Sequence, residues 1–240
     1  MPEFRYVIVA CRASRIAGDA ANHNRASRIA GDAANHNRAS RIARWMRPTE
    51  RDSFMIVAYH SIFCAYGFWL PNDPRGSWSD FVGAWELFIA GGPATACGAR
   101  RSVAGQAHDR AAREAGKAAL AHPPMLFNLR QTLSIANGLA VACAEADFRV
   151  LACAILPDHV HIVTRRHPRN IEMVVGHLRS RATKQLGLDG LRPAQPLWAK
   201  KSWNRYLDHP DVPGAIAYVN ANPRCAGIPP QAWPFVESPG

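Results

Sequence analysis

Two short apolar runs joined by a turn dipeptide stand out in the hydrophobic pattern of the chain. They cover residues 150–156 and 159–164, and Pro157-Asp158 lies between them. Proline and aspartate are typical turn residues, so this pattern predicts two adjacent strands with a tight connection. A third strand-like run, rich in Ile, Val, Tyr and Phe, covers residues 55–65.

Apolar residues recur at helical spacing in other segments. These predicted helices cover residues 107–120, 128–146, 171–186 and 211–221. Asn128 and Asn170 stand where each can cap the helix that follows it. Asn222-Pro223 is expected to end the last helix, because the residue before a proline disfavours helical backbone. Residues 193–203 show neither the two-residue alternation of a strand nor the apolar spacing of a helix, so they are expected to be irregular.

The order of these elements predicts the fold class. A strand, a helix, two apparently antiparallel strands and a further helix make an α+β fold, and a ferredoxin-like antiparallel sheet with helices packed on it fits best. We assign this domain to residues 51–240.

The first 50 residues differ from the rest of the chain. Residues 12–24 read RASRIAGDAANHN, residues 25–37 repeat that sequence without change, and a third copy begins at residue 38. The segment is Ala-rich and lacks large apolar residues, so it is expected to be disordered or a frayed helix. We therefore interpret residues 1–50 as a low-complexity extension that the fold does not need.

The charged residues of the chain indicate what kind of molecule it binds. The 240 residues include 29 Lys and Arg against 18 Asp and Glu, a net charge of +11. Such a basic protein commonly binds polyanions, most often nucleic acid. The sequence contains no apolar run long enough for a transmembrane helix and no secretory signal pattern. We therefore expect a cytoplasmic protein that associates with the nucleoid when bound to DNA, without a membrane partner.

The strand over residues 159–164 carries candidate metal ligands. His159 and His161 are two residues apart, so both imidazoles project from one face of the strand. Paired histidines on one face form half of a divalent metal site, although an exposed edge strand can also carry such a pair. None of the six cysteines forms a C-x-x-C motif, so a zinc knuckle is not expected.

The last predicted helix offers a nucleophile and a further ligand. Tyr218 and Asn222 are four residues apart, so they share one helix face. A phenol beside a metal-bound phosphate can attack phosphorus, and an amide oxygen can bind the metal. A core tyrosine and a helix C-cap are the alternative interpretation.

Four motifs together resemble the single-tyrosine HUH transposases, in particular the group associated with repetitive extragenic palindromes. The motifs are Tyr59-His-Ser-Ile-Phe63, Gly67-Phe-Trp-Leu-Pro-Asn-Asp-Pro-Arg-Gly-Ser-Trp78, Leu156-Pro-Asp-His-Val-His-Ile-Val163 and Tyr218-Val-Asn-Ala-Asn-Pro223. The resemblance spans about residues 55–240, whereas the repeat segment has no counterpart in the family.

This resemblance implies a specific chemistry. His159 and His161 would bind Mg²⁺ or Mn²⁺, with Asn222 completing the site. Tyr218 would form a covalent 5′-phosphotyrosine link with single-stranded DNA that has a hairpin or palindromic structure. The family implies a nicking and joining enzyme, a transposase, that acts as a monomer or a homodimer.

Eight basic residues near these motifs are candidate DNA contacts. They are Arg165, Arg166, Arg169, Arg179, Arg181, Lys184, Lys200 and Lys201. Their alternative role is a solvated surface. Trp198 and Trp203 flank the two lysines and are candidates for stacking on bases.

Three alternatives remain open at this point. A histidine-triad nucleotide hydrolase requires a third alternating histidine, and Val163 occupies that position. A catalytically inactive domain that binds single-stranded nucleic acid would share the positive charge but not the chemistry. Tyr206 is a second candidate nucleophile, but it has no asparagine four residues later and is predicted to lie in a packing cluster.

Overall fold

The computed structural model describes residues 55–77, 79–95 and 107–238. The predicted extension over residues 1–50 and its repeats therefore lie outside the described residues, as does Trp78 at the end of the second motif.

A four-stranded antiparallel sheet forms the centre of the domain. Its strands are β1 (Ala58–Ala65), β2 (Val150–Ile155), β3 (His159–Arg165) and β4 (Trp198–Leu207). Their order across the sheet is β2-β3-β1-β4, and every neighbouring pair is antiparallel. A long helix connects β1 to β2 and another connects β3 to β4, which gives the βαββαβ order of a ferredoxin-like fold. The predicted fold class is confirmed.

Five helices lie within the described residues. They are α1 (Trp85–Gly91), α2 (Arg110–Ala118), α3 (Leu129–Ala146), α4 (Ile171–Leu188) and α5 (Asp211–Cys225). The predicted caps are confirmed: Asn128 accepts from the Gln131 backbone N–H in a capping box, and Asn170 accepts from the Met173 N–H. These caps satisfy amide groups that have no partner within the helix.

Two predictions about secondary structure were wrong. Residues 198–207 form β4 although 193–203 were expected to be irregular, because an edge strand needs little apolar alternation when one side faces solvent. Helix α5 continues past Asn222-Pro223 to Cys225. Pro223 lies in the last turn and is buried, so its packing offsets the loss of one helical hydrogen bond.

The sheet is covered on both faces, and this arrangement positions the candidate site. Phe63, Val160 and Ile162 point toward α3 and α4 and form the larger apolar core. On the other face, Val163 packs with Ala215 and Val219 of α5 in a smaller core. Because strand side chains alternate, the histidines of β3 lie on the same face as α5.

The turn between β2 and β3 holds the start of the histidine strand in place. The Leu156 N–H donates to the His159 carbonyl at 2.8 Å, which closes the connection at Pro157-Asp158. The Asp158 carbonyl accepts from the Ala65 N–H of β1 at 2.8 Å. The predicted tight turn is confirmed, and it fixes Asp158 beside the first histidine.

The second motif forms a structured loop after β1. Asp73 accepts from Arg75 Nε at 2.8 Å, and the same guanidinium stacks over the Trp69 ring at 4.2 Å. At Gly67, φ is +82° and a Cβ would come within 2.7 Å of the Pro124 Cα, so this position requires glycine. Along the described ranges, no helix is long and apolar enough to cross a membrane.

Candidate active site

His159 and His161 project from one face of β3, as their spacing predicts. Their Nε2 atoms are 2.9 Å apart, so the two imidazoles converge on one point. His161 is buried, with 2% of its surface exposed, whereas His159 is partly exposed. The pair is therefore open to solvent on one side and held by the protein on the other.

Asp158 fixes the orientation of His159. The carboxylate Oδ1 lies 2.6 Å from His159 Nδ1. Burial alone would raise the pKa of Asp158, but the charge and hydrogen bond of His159 outweigh it and lower that pKa. A carboxylate only accepts hydrogen bonds, so His159 Nδ1–H donates and its Nε2 is directed toward His161.

His60 orients His161 in a corresponding way. His60 lies on β1, and its Nε2 is 3.0 Å from His161 Nδ1. Burial, together with the nearby Arg205 charge, lowers the pKa of His60 to about 4. Burial also lowers the pKa of His161 well below its ordinary value, with further contributions from His159 and His60. Both rings are therefore neutral at pH 7.

The sequence interpretation missed His60 as a site residue. It is part of the motif Tyr59-His-Ser-Ile-Phe63, and its position two residues after Ala58 places it on the face toward α5. Its contact with His161 joins residues 101 positions apart. The alternation of β1 was visible in the sequence, but the pairing of β1 with β3 was not.

The donor set around the two histidines fits a divalent cation. Two nitrogens bound to one ion at about 2.1 Å lie roughly 3 Å apart when they are at right angles, and the observed separation is 2.9 Å. The Nδ1 atoms are occupied by Asp158 and His60, which leaves the Nε2 atoms for the ion. In the described part of the chain, no group of three His, Cys, Asp or Glu side chains converges on one point.

Asn222, the predicted third ligand, is turned back toward its own helix. Its Nδ2 donates to the Tyr218 carbonyl at 2.8 Å. The Tyr218 carbonyl, four residues before Asn222, thus has a side-chain donor in the helical turn that precedes Pro223. No hydrogen bond joins Asn222 to His159 or His161, so its role as a ligand stays a prediction.

Tyr218 lies against the histidine cluster. Its ring centroid is 5.6 Å from that of His161 and 5.8 Å from that of His60. The neighbouring Val219 is fully buried in the core between α5 and the sheet, which fixes this face of the helix. Burial raises the pKa of the Tyr218 phenol, and a hydrogen bond with the Asn222 side chain acts in the opposite direction. Of the sequence-predicted site residues, Tyr218 and His161 are therefore brought into contact.

Tyr206 is directed away from this cluster. In the β1–β4 register His60 stands opposite Arg205, so Arg205 shares the face of the histidines and Tyr206 points to the other face. Its ring makes an edge contact with Tyr59 at 5.4 Å, and 53% of the residue is exposed. The packing expected around Tyr206 is thus only partial, because about half of the residue is exposed. This alternative nucleophile lies on the face of the sheet opposite the histidines.

The eight predicted basic residues do not form one cluster. Arg165 pairs with Glu237 at 3.1 Å and Arg181 pairs with Glu145 at 2.6 Å. Arg179 donates to the carbonyls of Ala199 and Lys200 and is close to the Trp198 ring. The remaining five are exposed, at the end of β3, on α4 and on β4: Arg166, Arg169, Lys184, Lys200 and Lys201.

One basic cavity is lined by α4 and β4. It has a volume of about 510 Å³ and is lined by Arg179, Thr183, Lys184, Arg192 and Trp198, among others. The Trp198 ring packs on Phe63, so this cavity lies on the α4 side of the sheet, opposite the histidines. Arg192 was not among the predicted DNA contacts, since it stands alone in a segment without a motif.

The two candidate stacking tryptophans are on different faces. Trp198 contacts Phe63 and Phe127 and donates its indole N–H to Thr183 at 3.0 Å. The Trp203 ring makes an edge contact with His60 at 5.6 Å on the face of the histidines. Trp203 is therefore the tryptophan that borders the candidate site.

No family model matches the chain, and no curated protein matches it significantly. Among solved structures, it is similar to a REP-associated tyrosine transposase bound to a REP hairpin, with 12% identity, a TM-score of 0.41 and 75% of each chain covered. It is also similar to a candidate transposase from Deinococcus radiodurans R1, with 12% identity, a TM-score of 0.33, and 68% of this chain and 88% of the other covered. Scores this low carry no argument about activity.

Proposed function

We propose that this protein is a metal-dependent nicking and joining enzyme for single-stranded DNA, a transposase that acts through a covalent 5′-phosphotyrosine. The observation that carries this proposal is the ring contact of Tyr218 with His161, whose Nε2 converges with that of His159. A core tyrosine needs no such neighbours, and a solvated histidine pair needs no buried orienting residue. The combination favours phosphoryl transfer.

His159 and His161 would hold Mg²⁺ or Mn²⁺, and the Asn222 amide oxygen is the candidate for completing the site after a side-chain rotation. When bound, the cation would neutralise charge on the scissile phosphate and orient it. Asp158 and His60 keep the two imidazoles in place. The fold thus supplies a rigid frame on β3 and a nucleophile on α5.

Tyr218 supplies the covalent step. Its phenol oxygen forms a bond to phosphorus, the bond from phosphorus to the 3′ oxygen breaks, and that oxygen leaves as a hydroxyl after taking up a proton. The phenol loses its own proton in this step. The phenol is protonated at neutral pH, and burial raises its pKa further from neutrality. Attack by another 3′-hydroxyl on the phosphotyrosine reverses the chemistry and joins strands.

The DNA would follow the edge of the sheet formed by β4. Lys200 and Lys201 are exposed on that edge, between the basic cavity on α4 and Trp203 beside the histidines. Cationic side chains along such a path neutralise phosphates, and an aromatic ring can stack on a base. We assign phosphate binding to Lys184, Arg192, Lys200 and Lys201, whereas the carboxylate partners of Arg165 and Arg181 make those two weaker candidates.

The test is adduct formation on single-stranded hairpin DNA with randomised flanks. A label at the 3′ end stays with the fragment that carries the 5′ phosphate, so a covalent product appears as labelled protein on a denaturing gel. We expect the adduct with Mg²⁺ or Mn²⁺ and not with a chelator. Tyr218→Phe should abolish it, and the matched variant Tyr206→Phe should retain it.

An inactive binding domain gives a different result. It would bind the same DNA with strong salt dependence and produce no adduct under any metal condition. Loss of the adduct in Tyr206→Phe alone would show that the nucleophile is assigned to the wrong residue.

A further inference from the structure

His60 is neither a ligand nor a nucleophile in the chemistry proposed above, yet it lies in the middle of the candidate site. Only 5% of its surface is exposed, and its Nε2 is 3.0 Å from His161 Nδ1. Three aromatic neighbours hold the imidazole: His161 stacks at 5.3 Å, and Trp203 and Tyr218 make edge contacts at 5.6 and 5.8 Å. A polar ring fixed so closely in the protein interior requires a specific hydrogen-bonding role.

We propose that His60 is a positioning residue that selects the tautomer of His161. In this arrangement the Nε2 atom of His60 on β1 accepts the His161 Nδ1–H, so that the Nε2 lone pair of His161 faces the metal position. The inference rests on the proposed metal site, whose two histidine ligands lie on β3, and it adds a residue of β1 that orients one of them. Asp158 does the same for His159, and both ligands are then oriented by a second residue.

The alternative tautomer explains why the acceptor matters. Without an acceptor at position 60, the Nδ1–H of His161 would be buried and unpaired, which costs free energy. His161 avoids that cost by moving its proton to Nε2, where the His159 Nε2 lies 2.9 Å away and accepts it. The proton would then occupy the space between the two nitrogens and exclude the cation. Loss of His60 should therefore weaken metal binding without removing a ligand.

The neighbours of His60 hold its ring in place. In the β1–β4 register Arg205 stands opposite His60, and the Arg205 guanidinium donates to Asp211 of α5 at 2.8 Å. His161 on β3 and Tyr218 on α5 lie against the imidazole. The contact between His60 Nε2 and His161 Nδ1 is therefore the hydrogen bond to which the proposal gives its role.

The experiment compares His60→Gln with His60→Leu. Glutamine can place a carbonyl oxygen near the position of Nε2, whereas leucine fills similar space without an acceptor. We expect His60→Gln to bind Mn²⁺, measured by titration calorimetry, within a few-fold of the parent protein. His60→Leu should bind Mn²⁺ about 10–100-fold more weakly. Thermal unfolding of each metal-free variant shows whether it is folded.

A second readout does not depend on DNA. Long-range ¹H–¹⁵N spectra, recorded at an Mg²⁺ concentration that saturates the parent protein, report which ring nitrogen of His161 carries the proton. We expect Nδ1–H in the parent protein and in His60→Gln, and Nε2–H in His60→Leu. A parent protein with Nε2–H at His161, or a folded His60→Leu variant with undiminished Mn²⁺ affinity, would overturn the proposal.

Failure of the proposed function gives a separate signature. If the Mn²⁺ affinities and tautomers follow the expected pattern but no DNA adduct forms, the positioning role of His60 stands and the transferase activity does not. If the adduct forms equally well in folded His60→Leu, and its tautomer equals that of the parent, the activity stands and the role of His60 is refuted.

Discussion

The buried His60 should make the protein sensitive to mild acid. In the folded chain the pKa of His60 is lowered to about 4 by burial and by the Arg205 charge, against 6.5 for an ordinary histidine. As the pH falls from 6.5 to 4, the unfolded chain therefore binds a proton that the folded chain does not. Stability is lost as the pH falls through this window and is retained above it.

The size of the effect follows from the difference between the two pKa values. Each unit is worth about 1.4 kcal/mol, so protonation of the unfolded chain can cost up to about 3 kcal/mol near pH 4. Between pH 7 and pH 5 the loss from His60 alone is about 2 kcal/mol. The buried His161 acts in the same direction, because its pKa is also lowered in the folded chain.

Urea unfolding of the metal-free protein at pH 7 and pH 5 measures this loss. His60→Gln has no titrating group at position 60, so its loss of unfolding free energy should be smaller by about 2 kcal/mol. The difference between the two proteins isolates His60 from the remaining carboxylates and histidines. Parallel loss of stability in the two proteins would refute a buried neutral His60.

Two further predictions concern helix packing and DNA binding. A Cβ at Gly138 on α3 would come within 2.5 Å of the Ala182 Cα on α4, so Gly138→Ala should destabilise the fold by about 1–3 kcal/mol. Gly176→Ala on α4 meets nothing within 4 Å, so this variant should gain about 0.5–1 kcal/mol of unfolding free energy. Thermal unfolding measures both variants, and equal effects of the two substitutions would contradict the close packing of α3 on α4. Replacing Lys184 and Arg192 together by glutamine should reduce the slope of log affinity for single-stranded DNA against log salt by about 1.4, and an unchanged slope would remove the cavity from the DNA path.

Local signals in the sequence predicted much of the fold. Asn128 and Asn170 cap helices as expected, because a cap depends on residues within one turn. The alternation of His159 and Val160 placed the histidines on one face, since a strand has a period of two. Tyr218 lies beside His161, and its role as nucleophile stays a prediction.

The features that were missed depend on tertiary context. Strand β4 contains Lys200 and Lys201 on an exposed edge, so its pairing with β1 leaves little hydrophobic pattern. Helix α5 includes Pro223 because burial of that residue outweighs the local preference against it. The contact between His60 and His161 depends on the register of β1 against β3, which no local pattern specifies.

The position of the covalent link is the most direct test of the proposed chemistry. Trypsin cleavage after Arg205 and Arg224 leaves Tyr206 and Tyr218 in one peptide, so the adduct must be fragmented to distinguish them. After nuclease digestion of the DNA, tandem mass spectrometry should locate a nucleotide phosphate on Tyr218, the tyrosine beside His161. A phosphate on Tyr206, or on any residue other than Tyr218, would contradict the account.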